Sequence, residues 1–286
     1  MRFHKTTALA VLLAILFICG DICLAFNVSP IIIELNAEPG KSLNGSFTVF
    51  AGADPEKVYL GIQDWDKTIE GGYKRVKSGT MERSCAEWVA LSSTVVEVSP
   101  QTAKTAVRFT VDVPRNATGS YWTYIIASPA EPNAGSGKNA LPKSGMQVDV
   151  NVNIGIRLVI TVKSGENTIG GEIQKISVAR AAPGATDTFE AQVVFDNTGN
   201  TYMKTIGYFE IRNSASAVVF EKKLDEISIL PERGRLVRIG INKDLPAGKY
   251  VALAMFDFGG DSIVAAESKF EVSANIPPPS AADNIK

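Results

Sequence analysis

The sequence predicts an all-β protein: two tandem immunoglobulin-like β-sandwich domains behind an N-terminal signal peptide. Three observations carry that prediction. Short alternating apolar runs are cut by turn residues roughly every 8 to 15 positions. No stretch shows the periodicity of an amphipathic helix. A set of turn and strand signals in the first half of the chain returns in the second,.

The chain opens with Arg2 and Lys5, continues through the apolar stretch Ala8 to Ile18, and reaches Cys23-Leu24-Ala25 before Phe26. A basic start, a short apolar core and a small residue at the boundary read as a signal peptide, residues 1–25, cleaved after Ala25. The apolar run is short for a stable membrane span, so none is expected after cleavage. Neither Cys19 nor Cys23 follows the small residue that lipoprotein processing favours, which leaves lipidation a minor alternative.

From Phe26 the strand signals follow one another. Ser46 to Phe50, Thr94 to Val98, Ala106 to Val111 and Trp122 to Ile126 are apolar or β-branched runs,. The turns between them are Pro39-Gly40, Glu70-Gly71-Gly72 and Arg115 to Gly119,. The longest signal runs from Val148 to Val162, with Val148, Val150, Val152, Ile154, Ile156, Leu158, Ile160 and Val162 at alternate positions. One face of that strand is therefore apolar; the other, with Arg157 and the exception Val159, is largely wet. Such a segment outruns an ordinary strand, so it either crosses between sheets or presents an edge to something else.

Lys163 to Asn167 reads as a linker, and a second set of strands begins near Ile169. Pro39-Gly40 and Phe47-x-Val49 find counterparts in Pro183-Gly184, Phe189 and Val193-Val194-Phe195. Val107-Arg108-Phe109 and Gly119-Ser120-Tyr121 find theirs in Val237-Arg238-Ile239 and Gly248-Lys249-Tyr250. Tyr121 and Tyr250 fit either tyrosine corners or plain core aromatics. The expected organisation is a first sandwich at 26–163, a second at 168–274, and a disordered proline-rich tail at 275–286.

Composition removes whole classes of chemistry. The signal peptide takes Arg2, Lys5 and Asp21 with it, leaving 27 basic and 29 acidic side chains of the original 29 and 30. That balance steers the protein toward neither nucleic acid nor an anionic bilayer. The single histidine, His4, also lies in the signal peptide, so His-dependent nucleophilic catalysis and His-ligated zinc are excluded from the mature chain,. Cys85 alone survives cleavage, and a lone thiol forms no internal disulfide,. No catalytic residue, cofactor or metal site is expected; carboxylate-only chemistry of the glycosidase kind is the one enzymatic route left open.

Weaker constellations have plainer alternatives. Asp64-Trp65-Asp66 with Glu70 places carboxylates at alternate positions but lacks the glycine and terminal glutamate of a calcium loop,. Trp65 near Tyr73, and Trp88 near Cys85, form either a sugar platform or core plugs. Asn27, Asn44 and Asn116 head glycosylation sequons that also read as turn asparagines,. Glu131 to Lys138 has glycines and a lysine but no following helix, so it reads as a loop rather than a phosphate cradle,.

Ser29 to Leu35 leading to Pro39-Gly40, then Val98-Ser99-Pro100 with Val107-Arg108-Phe109, then the alternating segment around Arg157, together resemble the periplasmic pilus-assembly chaperone (PapD-like) family and related secreted bacterial Ig-like domains. The second half looks like a generic bacterial Ig-like module, with Phe195 to Asn200 as its marking turn. The resemblance implies a non-enzymatic periplasmic or secreted protein whose partner is another envelope protein, such as a pilus subunit, bound by strand addition. The implied binding row is Val148, Val150, Val152, Ile154, Ile156, Leu158 and Ile160. Arg157 falls where the family places one of two basic residues that anchor a terminal carboxylate, whereas Val28 to Leu35 carries no partner cation in the first strand. Without the resemblance, Arg157 also fits an ordinary solvated face, and the two sandwiches also fit a structural or adhesive spacer.

Overall fold

The computed structural model describes residues 26–129, 152–259 and 263–273. The expected signal peptide, the tail, the Glu131 to Lys138 loop, Val148 and Val150 lie outside the described residues. Strands dominate, and the one helical element among the described residues is a single 3-10 turn, Ala86–Trp88.

The first sandwich uses β1 (Asn27–Ser29), β2 (Ile32–Ala37), β3 (Ser42–Phe50), β4 (Glu56–Lys67), β5 (Tyr73–Val76), β6 (Val89–Leu91), β7 (Val95–Val98), β8 (Lys104–Asp112), β9 (Gly119–Ser128) and β10 (Ile154–Val162). One sheet runs β1-β3-β8-β6; the other runs β2-β10-β9-β4-β5, with β7 also on β4. Thus β1 and β2 belong to opposite sheets, and the cis Ser29–Pro30 peptide lies between them. β2 lies parallel to β10, and β9 lies antiparallel on its other side.

The second sandwich uses β11 (Gly171–Arg180), β12 (Phe189–Asn197), β13 (Met203–Asn213), β14 (Val218–Lys223), β15 (Ile227–Ile229), β16 (Gly234–Ile241), β17 (Gly248–Asp257) and β18 (Val264–Val272). Its sheets are β11-β12-β16 and β14-β13-β17-β18, with β15 paired to β13.

Each pair of sheets closes on inward residues at two-residue spacing, as strand geometry requires. Phe47, Phe109, Ile125, Ile156, Leu158 and Ile160 fill the first core. Phe195, Phe209, Ile211 and Phe256 anchor the second. In the second sandwich the Tyr250 hydroxyl donates to the Pro246 carbonyl at 2.7 Å, which makes it the tyrosine corner,. Tyr121 differs: its ring packs 4.4 Å from that of Trp88, so the echoed Gly-x-Tyr pattern does not carry one role twice.

A third apolar layer lies between the sandwiches. Trp65, Trp122, Tyr124, Ile126 and Val159 from β4, β9 and β10 meet Leu230, with Tyr202 and Met81 packed against them. This corrects the expectation of a largely wet odd face on the long strand: at Val159 that face is covered by aromatic rings and the second sandwich. β9 is consequently buried on both faces. Asn197 holds the Leu230 loop in place, its Nδ2 donating to the carbonyls of Thr201, Ile229 and Leu230 at 2.8 to 3.3 Å.

Hydrogen bonds tie the junction together. Ser120 N donates to Asn200 O, and Tyr202 N donates to Ser120 Oγ, both at 2.8 Å. Arg83 pairs with Glu232 at 2.7 Å and Arg233 with Asp66 at 3.1 Å. Asn167, in the expected linker, accepts from Gly119 N through Oδ1 and donates to Val162 O through Nδ2. Gly119 sits at φ +75°, and a Cβ there would stand 2.2 Å from Asn200 O, so this close approach requires glycine,.

Candidate functional site: an open strand edge beside a cationic cleft

The long alternating segment divides in two. From Arg157 to Val162, β10 has β2 on one side and β9 on the other, so its backbone groups are engaged along both edges. Ile156, Leu158 and Ile160 are each 0% exposed and belong to the first core. They therefore form no partner-facing row, which corrects that part of the expected strand-addition surface. The physical reason is that the apolar side of the alternation faces the opposite sheet of its own sandwich. Nor does the segment cross between sheets; β1 and β2 make that passage instead.

Upstream the situation changes. β2 pairing begins at Arg157, whose N–H donates to Ile31 O at 2.9 Å. Ile154, Gly155 and Ile156 pair with β9 alone. Strand periodicity turns the N–H and C=O of Gly155 the same way as those of Arg157, toward an edge that no described strand covers. Val152, 54% exposed, precedes this edge, and Ile31 and Ile32 flank it at 53% and 40%. Ile154 is half-buried against the core. Gly155 lets Tyr124 lie over the strand, since a Cβ there would meet the Tyr124 ring at 3.2 Å.

Arg157 stands where the open edge meets the cleft between the sandwiches. Its Nη1 donates to the Tyr73 hydroxyl, and its guanidinium lies 5.1 Å from the Tyr73 ring centroid,. Lys67, at the end of β4, approaches the same ring at 5.6 Å and donates from Nζ to the Ser228 carbonyl and hydroxyl at 2.9 and 3.0 Å. Burial, then the charges of Arg235 and Arg157, lower the Lys67 pKa from 10.5 to about 8,. Arg235 reaches in from β16 against the turn at Gly71, where a Cβ would overlap its guanidinium. Three cations thus converge, and none of them forms a salt bridge among the described residues.

The surrounding layer supplies donors. Trp65 is 1% exposed and its ring stacks on Tyr124 with centroids 5.1 Å apart. Trp65 Nε1 and Arg235 Nη1 are buried without a hydrogen-bond partner among the described residues. Buried donors left unpaired are costly and uncommon, so a cleft holding two of them beside uncompensated positive charge is suited to an anion. Tyr124, pushed up to about 12 by burial and then by Tyr73, stays a neutral phenol at physiological pH.

The remaining sequence candidates take structural places. Asp64, 0% exposed, accepts from Gly79 N at 2.7 Å and Ser84 Oγ at 2.8 Å, while Asp66 accepts from Arg233; the two carboxylates serve separate networks. Trp65 and Trp122 are interior plugs joined by a 2.6 Å bond from Trp122 Nε1 to the Trp65 carbonyl. Cys85 is fully buried, and burial, followed by the Asp64 charge, raises its thiol pKa well above the usual value, which disfavours the nucleophilic thiolate,. Lys67 and Arg235 were not identifiable as site residues from the sequence: they join Arg157 only through the docking of one sandwich on the other.

No family model matches the chain, and no curated protein matches it. Solved structures similar to it include one described as a chaperone-tip adhesin complex in CFA/I fimbriae biogenesis, at 11% identity over 87% of this chain and 99% of that one, with a TM-score of 0.44. The class 5 fimbriae chaperone CfaA aligns at 12% identity over 85% and 98% of the two chains, TM-score 0.44. The E. coli chaperone DraB aligns at 15% identity over 88% and 97%, TM-score 0.40. No helix among the described residues is long and apolar enough to cross a membrane.

Proposed function

We propose that this protein is a non-enzymatic, chaperone-like binder of another exported protein, a pilus-type subunit being the class that the sequence resemblance implies. The partner's extended segment adds to the open edge of β10 at Ile154 to Ile156, and its terminal carboxylate enters the cleft at Arg157. The signal peptide expected at residues 1–25 supports a periplasmic or secreted setting for this activity,. One observation carries the reading: Lys67, Arg157 and Arg235 meet, none in a salt bridge among the described residues, where β10 loses its second neighbour.

A strand edge supplies affinity through backbone hydrogen bonds, whereas a carboxylate anchor fixes register. The proposed second anchor cation is Lys67, with Arg235 behind it, in place of a basic residue in the first strand. The strand-addition set then contracts to the side chains of Val152 and Ile154 with the outward backbone groups of Gly155, and Ile156 stays in the core.

The test uses paired apolar peptides of about eight residues, one ending in a free carboxylate and one amidated, titrated against the full chain while tryptophan fluorescence is followed. Charge-assisted hydrogen bonds of about 1.5–3 kcal/mol predict roughly ten- to hundredfold weaker binding of the amide. Arg157→Ala abolishes that difference on this reading. Equal affinity of the two peptides for the unaltered protein refutes the anchor.

A further inference from the structure

The second sandwich is closed along one seam and open along the other. β11 lies against β18, bringing the two sheets together on that side. On the opposite side the sheets end in β14 and β16, each with one neighbouring strand only. A groove of about 430 Å³ separates them.

The groove has a distinct chemical pattern. Its floor is apolar: Leu224 is buried, and Ile227 and Val237 are half-buried. Its rim is basic, with Lys222 and Lys223 on the β14 side and Arg235 and Arg238 on β16, against Glu70 and Asp225. Lys222, Lys223 and Arg235 form no salt bridge among the described residues, while Arg238 pairs with Glu190 at 3.0 Å.

The edge of β16 is available for pairing in a defined register. Arg233 O and Ile241 O accept from Asn197 N and Thr188 N, so odd-numbered residues direct their backbone groups toward β12. Even-numbered residues direct theirs outward. Among the outward amides, Leu236 N–H already donates to the carbonyl of Ile69 at 2.7 Å, from the tip of the β4–β5 hairpin. Beyond it, the outward N–H groups of Arg238 and Gly240 meet no described strand. Charged side chains are a common guard on such an edge. Here the guard is mainly cationic, and it borders an apolar trough.

We infer that this seam is a second docking site, which takes an extended segment of alternating apolar and acidic residues from a partner protein as a strand added to β16. Apolar side chains of the added strand face Leu224, Ile227 and Val237, and the carboxylates on its other face lie toward the exposed rim cations Lys222 and Lys223,. The site is separate from the β10 edge, and Arg235 is the cation it shares with the cleft at Arg157.

The probe is an octapeptide alternating valine and glutamate, acetylated and amidated so that it has no terminal carboxylate for the cleft. A valine–lysine octapeptide is its control. Amide NMR of the full chain is expected to show hydrogen-exchange protection at Arg238 and Gly240 with the acidic peptide alone, weakening as salt is raised. Arg238→Pro removes an outward N–H without breaking a bond to β12 and is expected to weaken binding more than tenfold; Arg238→Ala keeps the amide and costs a few fold. The exposed double change K222E/K223E is expected to reverse the preference toward the lysine peptide, and thermal melts confirm that each variant is folded. Absence of binding up to millimolar acidic peptide, equal binding of both peptides, or protection confined to other strands overturns the inference.

Discussion

Replacing Ile156 by aspartate separates two roles of the long strand. If the alternating row faced a partner, Ile156→Asp would release that partner and leave the protein folded. The structure expects the opposite, because Ile156 is 0% exposed and lies in the first core beside Leu158 and Ile160. Losing a buried isoleucine side chain costs about 2–5 kcal/mol. Burying a carboxyl without a hydrogen-bonding partner adds about 1–3 kcal/mol by mutational experience, with the group held neutral. The sum, about 3–8 kcal/mol, is comparable with the total stability of an ordinary domain, about 5–15 kcal/mol. Val152→Asp, at a position 54% exposed, is expected to shift stability by less than about 0.5 kcal/mol,. The assay is equilibrium urea unfolding followed by fluorescence. All three tryptophans, Trp65, Trp88 and Trp122, belong to the first sandwich, so the signal reports the half in which the change is made. A folded Ile156→Asp protein with an unaltered urea midpoint would refute the assigned burial of β10.

Two further outcomes follow from the junction. Gly119→Ala introduces a Cβ at φ +75° and 2.2 Å from Asn200 O, so a loss of at least about 1–2 kcal/mol is expected, together with faster limited proteolysis between the sandwiches; unchanged proteolysis counts against the close approach,. Lys67 has a folded-state pKa of about 8 against a usual 10.5, so between those values the unfolded chain holds a proton that the folded chain has released. The cost of burying the ammonium is fully present below about 8, and stability rises as pH climbs toward 10.5,. Comparing urea midpoints of the unaltered protein and Lys67→Met across that window isolates this rise; parallel curves would show that Lys67 is ordinarily solvated.

The strands and turns were legible because their signals are local. The alternation from Ile154 to Val162 became β10, and Pro39-Gly40 and Pro183-Gly184 became turns with glycine at φ +72° and +87°. Periodicity identifies which residues share a face, but what covers that face is a tertiary matter. Val159 looked like one exception on a wet face; it is part of an aromatic layer because Leu230, 71 positions later, is held over it by Asn197. The same limit explains the expected binding row. An apolar row facing a partner and one facing the opposite sheet are identical in sequence, and only the pairing register of β2 shows where the edge opens.

The cleft shows the complementary case. The first strand carries no cation beside Arg157, and the charges that do lie near it come together by convergence in space rather than by position in one strand. Lys67 ends β4, Arg157 lies near the start of β10 and Arg235 lies near the start of β16, so three elements from two sandwiches contribute one charge each. Three carboxylates at the junction are committed to other cations: Asp66 to Arg233, Glu34 to Lys204 and Glu232 to Arg83. These pairs lie at the junction and hold the sandwiches in the relation that brings the unpaired cations together. Replacing Asp66 by asparagine should therefore weaken the proposed anion through geometry, although the lost negative charge alone would favour it, whereas changing Arg157 removes a contact directly,. The two effects separate by salt, since screening reduces the direct contribution and leaves a misplaced Lys67 misplaced.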